Sequence, residues 1–180
     1  MTPVALLTCA LVLGATGLGH AAAPGRTRQE IAAHRVLPRP LAYVVALALP
    51  PLELGIAALL VGAVLTPQVA LDRWSGGAAA LLLTAFAGYL ALALRRGAGG
   101  LPCACGAGTA PLAGWSVARA ALLAGCALLG ALLPSSLAIT SRPWAEVVIV
   151  GCAAVTFAIG LWALPSARHD LGARPREAHP

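Results

Sequence analysis

The sequence predicts an all-α protein that crosses a membrane several times as a bundle of helices. Hydrophobic residues make up 59% of its 180 residues, charged residues only 10%, and the mean hydropathy is +0.86. One small core could not bury that much apolar surface from water, so most of the chain is expected to lie in lipid. The apolar residues are also grouped into five long segments, which are the candidate spans.

Each of the five apolar segments is long enough to cross the hydrocarbon core of a bilayer, which is roughly 30 Å thick. They cover approximately residues 2–23, 41–65, 78–94, 115–133 and 144–164. Residues 1–164 are therefore predicted to form one transmembrane domain, and the polar residues 165–180 a disordered tail. The tryptophans fall at or beside segment ends, where amphipathic rings prefer the membrane interface: Trp74, Trp115, Trp144 and Trp162.

The first segment has two interpretations. Ala21-Ala22-Ala23 resembles the small-residue cleavage site of a secretory signal, which would remove residues 1–23. A signal also carries positive charge before its apolar run, and no Lys or Arg precedes this one. We therefore predict that the segment is retained as the first span.

The connection between the first two spans is rich in arginine. Within it, Thr27 and Glu30 have the spacing of a capping box, in which both side chains satisfy free amides at the start of a helix. This spacing predicts a short surface helix that ends at Leu37 and lies along the lipid headgroups. An ordinary solvated loop is the alternative.

The second span contains two features that are unusual in lipid. Pro50 and Pro51 remove two backbone donors, which predicts a bend near the middle of the helix. Glu53 follows at once, and an ionisable residue inside a membrane is a candidate functional residue by default. The structural alternative is a carboxyl group that is protonated or bonded to a neighbouring helix.

The connection between the third and fourth spans, residues 95–114, is called here the cysteine loop. Cys103 and Cys105 lie two positions apart, a spacing that allows a disulfide with a strained, easily reduced ring. Arg95 and Arg96 are close enough in sequence to stabilise a thiolate. The loop therefore has the composition of a redox dithiol; unreacted thiols and half of a metal site are the alternatives.

A metal site in the cysteine loop lacks ligands. Zinc needs four, and the loop contains no His, Asp or Glu to complete the set. Two thiolates could still hold copper(I), so that alternative stays open. The other three cysteines, Cys9, Cys126 and Cys152, fall inside spans and are predicted to be small buried residues. No metal and no cofactor is predicted.

The net charge of +6 comes from twelve arginines and no lysine, set against six acids. The arginines lie mainly between the apolar segments without an interleaved aromatic pattern, which favours anionic lipid headgroups and excludes nucleic acid as a partner. With five spans, nine arginines share the side of the cysteine loop and two lie opposite. The positive-inside rule then places the loop in the cytoplasm, whereas disulfides persist on the outer face.

Several segments together resemble a known family. They are Arg35-Val36-Leu37-Pro38, Leu49-Pro50-Pro51-Leu52-Glu53-Leu54-Gly55, Cys103-Ala104-Cys105-Gly106, and Trp115 with Val117, Ala118 and Arg119. Residues 1–133 resemble the methylamine utilisation protein MauE family, whose fold is related to DoxX-like membrane proteins. The resemblance implies a DoxX-like core of four helices, to which this chain adds a fifth, C-terminal span.

The resemblance also implies a function. It suggests a multi-pass protein of the bacterial inner membrane that acts with a thioredoxin-like partner in maturing disulfide-containing exported proteins, such as the small subunit of methylamine dehydrogenase. By position, Cys103 and Cys105 would be the catalytic, exchanging pair. Glu53 and Arg119 would be polar intramembrane residues that support the bundle or a site, and a direct pair between them stays open.

Two other classes of function stay open. One is a small transporter or metal-handling protein centred on Glu53, and the other is a scaffold without catalysis. The sequence contains no second cysteine pair and no recognisable quinone site, so it does not predict a self-sufficient oxidoreductase. If the protein is redox-active, it is at most a thiol-disulfide accessory protein.

Overall fold

The structure, a computed structural model, describes residues 2–103, 111–134 and 138–172, with side chains as far as residue 163. Within these ranges the chain forms six α-helices and one 3-10 turn at Ile139–Ser141, and it forms no β-strand. The helices are α1 Thr2–Ala22, α2 Pro24–Ala33, α3 Arg39–Leu65, α4 Val69–Arg95, α5 Gly114–Leu132 and α6 Trp144–Gly172.

Five of these helices, all except α2, are long and apolar enough to cross a membrane. Helices α1, α3, α4 and α5 pack together as a four-helix core, in which α1 contacts α3 and α4 contacts α5 most closely. Helix α6 lies outside this core against α1, and only 11% of its apolar stretch is buried. The predicted all-α polytopic bundle is therefore confirmed.

Small residues bring the core helices close together. Gly17 of α1 lies where an added Cβ would be 3.1 Å from the Cβ of Glu53 on α3. Such small residues let helix backbones approach in lipid, where packing replaces the hydrophobic effect as the main attraction between helices. The close crossing of α1 and α3 places the C-terminal end of α1 beside the carboxylate of Glu53.

The third span begins earlier than predicted. Helix α4 starts at Val69 instead of residue 78, so the segment predicted to be a connection forms its first turns. Asp72 lies in the first turn, where its negative charge is favourable at the positive end of the helix dipole. Hydropathy missed these turns because it treats Asp72 and Arg73 as loop residues regardless of their position in the helix.

The predicted capping box does not form. Helix α2 begins at Pro24, before Thr27, and the Thr27 hydroxyl donates to the Ala23 carbonyl. Glu30 instead accepts from Nε of Arg26, one turn away, at 2.8 Å. Proline is pre-organised for the first helical position, so the helix starts there and not at the later threonine. The predicted short helix exists, but it ends at Ala33 and not at Leu37.

Helices α3 and α6 each continue through a segment where the sequence suggested a bend or an end. Helix α3 is continuous through Pro50 and Pro51, which cannot donate to the carbonyls of Ala46 and Leu47. Helix α6 continues to Gly172, into the segment predicted to be a disordered tail. Adding residues to an existing helix requires no new nucleus, so a polar segment can prolong it.

Candidate functional site

The base of the cysteine loop is closed by backbone hydrogen bonds. The amide of Gly100 donates to the carbonyl of Leu112 at 3.0 Å, and the amide of Leu112 donates to the carbonyl of Leu101 at 2.7 Å. Pro102 and Pro111 form an isolated antiparallel bridge beside them. The two ends of the loop are thus held together. Residues 104–110, including the predicted catalytic residue Cys105, lie outside the described residues.

Cys103 lies at this closed base and faces the protein. Its exposed fraction is 6%, and it packs with buried apolar residues from the end of α4 and from both sides of the loop. The buried members of this cluster are Leu90, Ala93, Ala98, Cys103 and Leu112. The cysteine therefore sits against the end of α4 instead of standing in open solvent.

His34, which follows α2, connects this cysteine to the rest of the bundle. Its Nε2 lies 3.0 Å from the carbonyl oxygen of Pro102, and its Nδ1 lies 2.9 Å from the hydroxyl of Tyr89 on α4. A carbonyl can only accept, so Nε2 donates to Pro102. The Tyr89 hydroxyl lies between Nδ1 and the carbonyl of Ile31, which is 3.4 Å away. The imidazole is buried, and both of its nitrogens are hydrogen-bonded.

Arg96, which follows α4, also binds the α2–α3 connection. Its Nη1 donates to the carbonyls of Arg35 and Val36 at 3.1 and 3.2 Å. Arg35 has a φ of 53°, a left-handed conformation that costs free energy in a residue other than glycine. Arg96 stabilises this turn, and the thiolate contact suggested for it by the sequence stays a prediction.

Glu53 is bonded to α1. Its Oε2 lies 2.7 Å from Nδ1 of His20, and its Oε1 accepts from the hydroxyl of Thr16 at 3.3 Å. All three side chains are buried. A carboxylate with two partners in a low-dielectric environment is satisfied by the bundle itself, so Glu53 joins α1 to α3.

Arg119 of α5 lines the same small cavity as Glu53. The guanidinium-bearing side chain is 7% exposed and forms no ion pair with Glu53 or with any other acid whose side chain the structure describes. The cavity has a volume of about 30 Å³, close to the space needed for one water molecule. Apart from Thr16, Glu53 and Arg119, its lining is apolar: Val12, Leu13, Leu49, Leu82, Leu83, Phe86, Ala120 and Leu123.

The remaining cysteines are free thiols in the spans. Cys9 is buried and its Sγ lies 3.5 Å from the carbonyl of Leu123, as expected for a small core residue. The prediction is wrong for Cys152, which is exposed because α6 lies outside the four-helix core. Among the side chains that the structure describes, no group of three or more His, Cys, Asp and Glu could hold a metal ion.

Two residues of these sites, His20 and His34, were not singled out from the sequence. His20 could have been found, because a polar residue near the end of an apolar span has to pair with another polar residue. His34 carries no such signal, since it lies among arginines in a polar segment.

These features define a polytopic membrane protein with polar groups inside its bundle. They are the five apolar helices, the buried acid–histidine pair and the loop closed against the end of α4. The model of the methylamine utilisation protein MauE family matches residues 1–133. The chain therefore belongs to the MauE family and is a membrane accessory protein of the methylamine utilisation type. The match covers α1 to α5 and stops before α6. Comparison with curated proteins and with solved structures found no match.

Proposed function

We propose that Cys103 and Cys105 exchange a disulfide with a thioredoxin-like partner during maturation of an exported protein. The observation that carries this proposal is the position of Cys103 at the closed base of a loop at the end of α4. A partner thiolate attacks one sulfur of the pair, and the other sulfur leaves as a thiolate with the bonding electrons. The second thiol of the partner then completes the exchange, which leaves the partner oxidised and the pair reduced.

Membership of the MauE family supports the biological setting of this exchange. The proposed client is an exported protein with several disulfides, such as the small subunit of methylamine dehydrogenase, and the proposed location is the bacterial inner membrane. The partner supplies the second dithiol, because Cys9, Cys126 and Cys152 are held in the spans.

Trapping tests this exchange. With the three span cysteines replaced by alanine, single Cys103→Ser and Cys105→Ser variants are expected to differ in the mixed disulfide they retain with a thioredoxin-like protein. At least one should retain an adduct that disappears on reduction, because its resolving thiol is missing. Non-reducing electrophoresis followed by mass spectrometry measures the adduct. Absence of any adduct from both variants, in membranes that contain the intact bundle, would contradict the proposal.

The side of the membrane is a separate prediction. Maturation of an exported client requires the cysteine loop on the outer face, although the arginine distribution favours the opposite orientation. In intact cells, after reduction with a membrane-impermeant phosphine, a membrane-impermeant maleimide is therefore expected to label the loop cysteines of the variant without span cysteines. Labelling only after the cells are permeabilised would place the loop in the cytoplasm and exclude exchange on the outer face.

The intramembrane cavity supports a second candidate, transport of a small polar species past Glu53. The supporting observation is that Thr16, Glu53 and Arg119 line one cavity inside the four-helix core. This candidate predicts that Glu53→Gln abolishes activity while the Cys103→Ser/Cys105→Ser double variant retains it. The exchange proposal predicts instead that the cysteine double variant is inactive. A scaffold without catalysis would tolerate both the Glu53 change and the cysteine changes.

A further inference from the structure

The two sulfurs of an exchanging pair need not be equally open to attack. Thiol-disulfide exchange requires the attacking thiolate to reach a particular sulfur, so the rate depends on access. Cys103 is 6% exposed and is packed against Leu90, Ala93 and Leu112. Burial of this kind restricts the approach of a protein-sized nucleophile to the Cys103 sulfur while the loop base stays closed.

The side chain of His34 holds the backbone next to Cys103. His34 bonds to the carbonyl of Pro102, the residue directly before Cys103, and its ring is oriented from behind by the hydroxyl of Tyr89. The bond joins residues 68 positions apart in the chain, so it ties the cysteine loop to the end of α2. The ring of His34 also packs against that of Tyr89, with centroids 5.7 Å apart.

Loss of His34 would leave the partly buried Pro102 carbonyl without this donor. Pro102 is itself exposed, so its carbonyl would recover a hydrogen bond by turning toward water. Cys103 is the next residue and would move with it. The hydrogen bond therefore opposes exposure of the cysteine, in addition to the apolar packing around it.

We propose that Cys103 is the shielded sulfur of the pair and that His34 is a positioning residue that keeps it shielded. Resting on the proposed function, this assigns the order of the exchange. The partner thiolate attacks the other sulfur, the S–S bond breaks, and Cys103 leaves with the bonding electron pair as a thiolate. The proton of the partner's second thiol balances that charge when the partner closes its own disulfide.

The shielding is measured directly in a variant whose only thiol is Cys103, with alanine at Cys9, Cys126 and Cys152 and serine at Cys105. The probe is a small maleimide, and the readout is its rate of reaction with protein in detergent. We expect slow labelling of the folded protein and fast labelling after denaturation in dodecyl sulfate. His34→Ala should raise the folded-state rate by about three- to tenfold, the factor that corresponds to one hydrogen bond of ordinary net strength.

Three matched variants separate positioning from general damage. His34→Gln places an amide donor close to the position of Nε2 and should restore the slow rate. Tyr89→Phe, which removes only the hydroxyl that orients the ring, should give an intermediate rate. Tyr43→Phe removes the hydroxyl of an exposed tyrosine on α3, away from the loop, and should leave the rate unchanged. Circular dichroism and gel filtration confirm that each variant remains folded.

Two results would overturn the inference. Equal labelling rates in folded and denatured protein would show that Cys103 is open, and an unchanged rate in folded His34→Ala would remove the role of His34. Neither measurement requires a partner protein. The shielding and the exchange can therefore fail separately. If Cys103 labels slowly in a way that depends on His34 but no mixed disulfide is trapped, the shielding holds and only the exchange is contradicted.

Discussion

Replacing His20 with leucine is expected to lower the free energy of unfolding in detergent micelles by about 3 kcal/mol. His20 lies 2.7 Å from the Glu53 carboxylate inside the bundle, and leucine offers no polar atom in its place. Removing one member of a buried pair leaves the other with an uncompensated desolvation penalty, which is the main part of the loss. The expected value lies at the low end of the usual range because Glu53 keeps the Thr16 hydroxyl.

The size of this loss depends on whether His20 and Glu53 form a neutral hydrogen bond or an ion pair. Neutral hydrogen bonds between transmembrane helices average about 0.6 kcal/mol, because the unfolded chain in the membrane finds other partners. An ion pair is worth more, since neither charge is readily replaced by another contact in lipid. A loss of about 3 kcal/mol would therefore indicate an ionised pair, and a loss below about 1 kcal/mol a neutral hydrogen bond.

A double variant provides the control for this prediction. His20→Leu together with Glu53→Leu removes both polar groups, and it should recover more than about 1 kcal/mol relative to the sum of the single losses. The pair of Arg142 with Glu146, which is 43% exposed, gives a matched surface case. Glu146→Gln should cost less than about 1 kcal/mol. Additive losses in the double variant would mean that His20 and Glu53 do not interact.

Gly76→Ala is expected to have the second large effect, a loss of about 1–3 kcal/mol in the same unfolding measurement. A Cβ at this position would lie 2.9 Å from the carbonyl oxygen of Ala127 and from the amide nitrogen of Ala131. Both atoms belong to the backbone of α5, so only separation of α4 from α5 can relieve the overlap. Separation would loosen α4 and α5, the pair of helices with the most extensive contact, at the end of the pair far from the cysteine loop.

The adjacent glycine is a matched control. Gly77 has no atom within 4 Å of an added Cβ, so Gly77→Ala introduces the same methyl group into open space. We expect that variant to remain within about 0.5 kcal/mol of the parent protein. If the two alanine variants are equally stable, α4 and α5 do not approach as closely as the structure indicates.

Much of the architecture follows from composition and hydropathy. Lipid supplies no hydrogen bonds to the backbone, so long apolar segments have to be helical, and their number can be read from the sequence. Helix α4 nevertheless starts at Val69, before its apolar segment begins. Asp72 and Arg73 lower the local hydropathy, but a helix can include charged residues in its first turns when they lie near the interface or favour its dipole.

The family could also be predicted from the sequence, because its motifs are short and local. Glu53 and the Cys103 segment lie within a few residues of the other positions that mark the resemblance. The structure adds which of these residues meet. Glu53 contacts His20 of α1, whereas Arg119 only shares a cavity with it.

The sequence by itself determined that this protein is a membrane-embedded helical bundle of the MauE type with a cysteine pair between its third and fourth spans. Only the tertiary structure decided that His20 is the partner of Glu53 and that His34 holds the residue before Cys103. These contacts join positions 33 and 68 residues apart. They depend on the rotation and depth of each helix, which are set by packing of small residues that hydropathy does not distinguish.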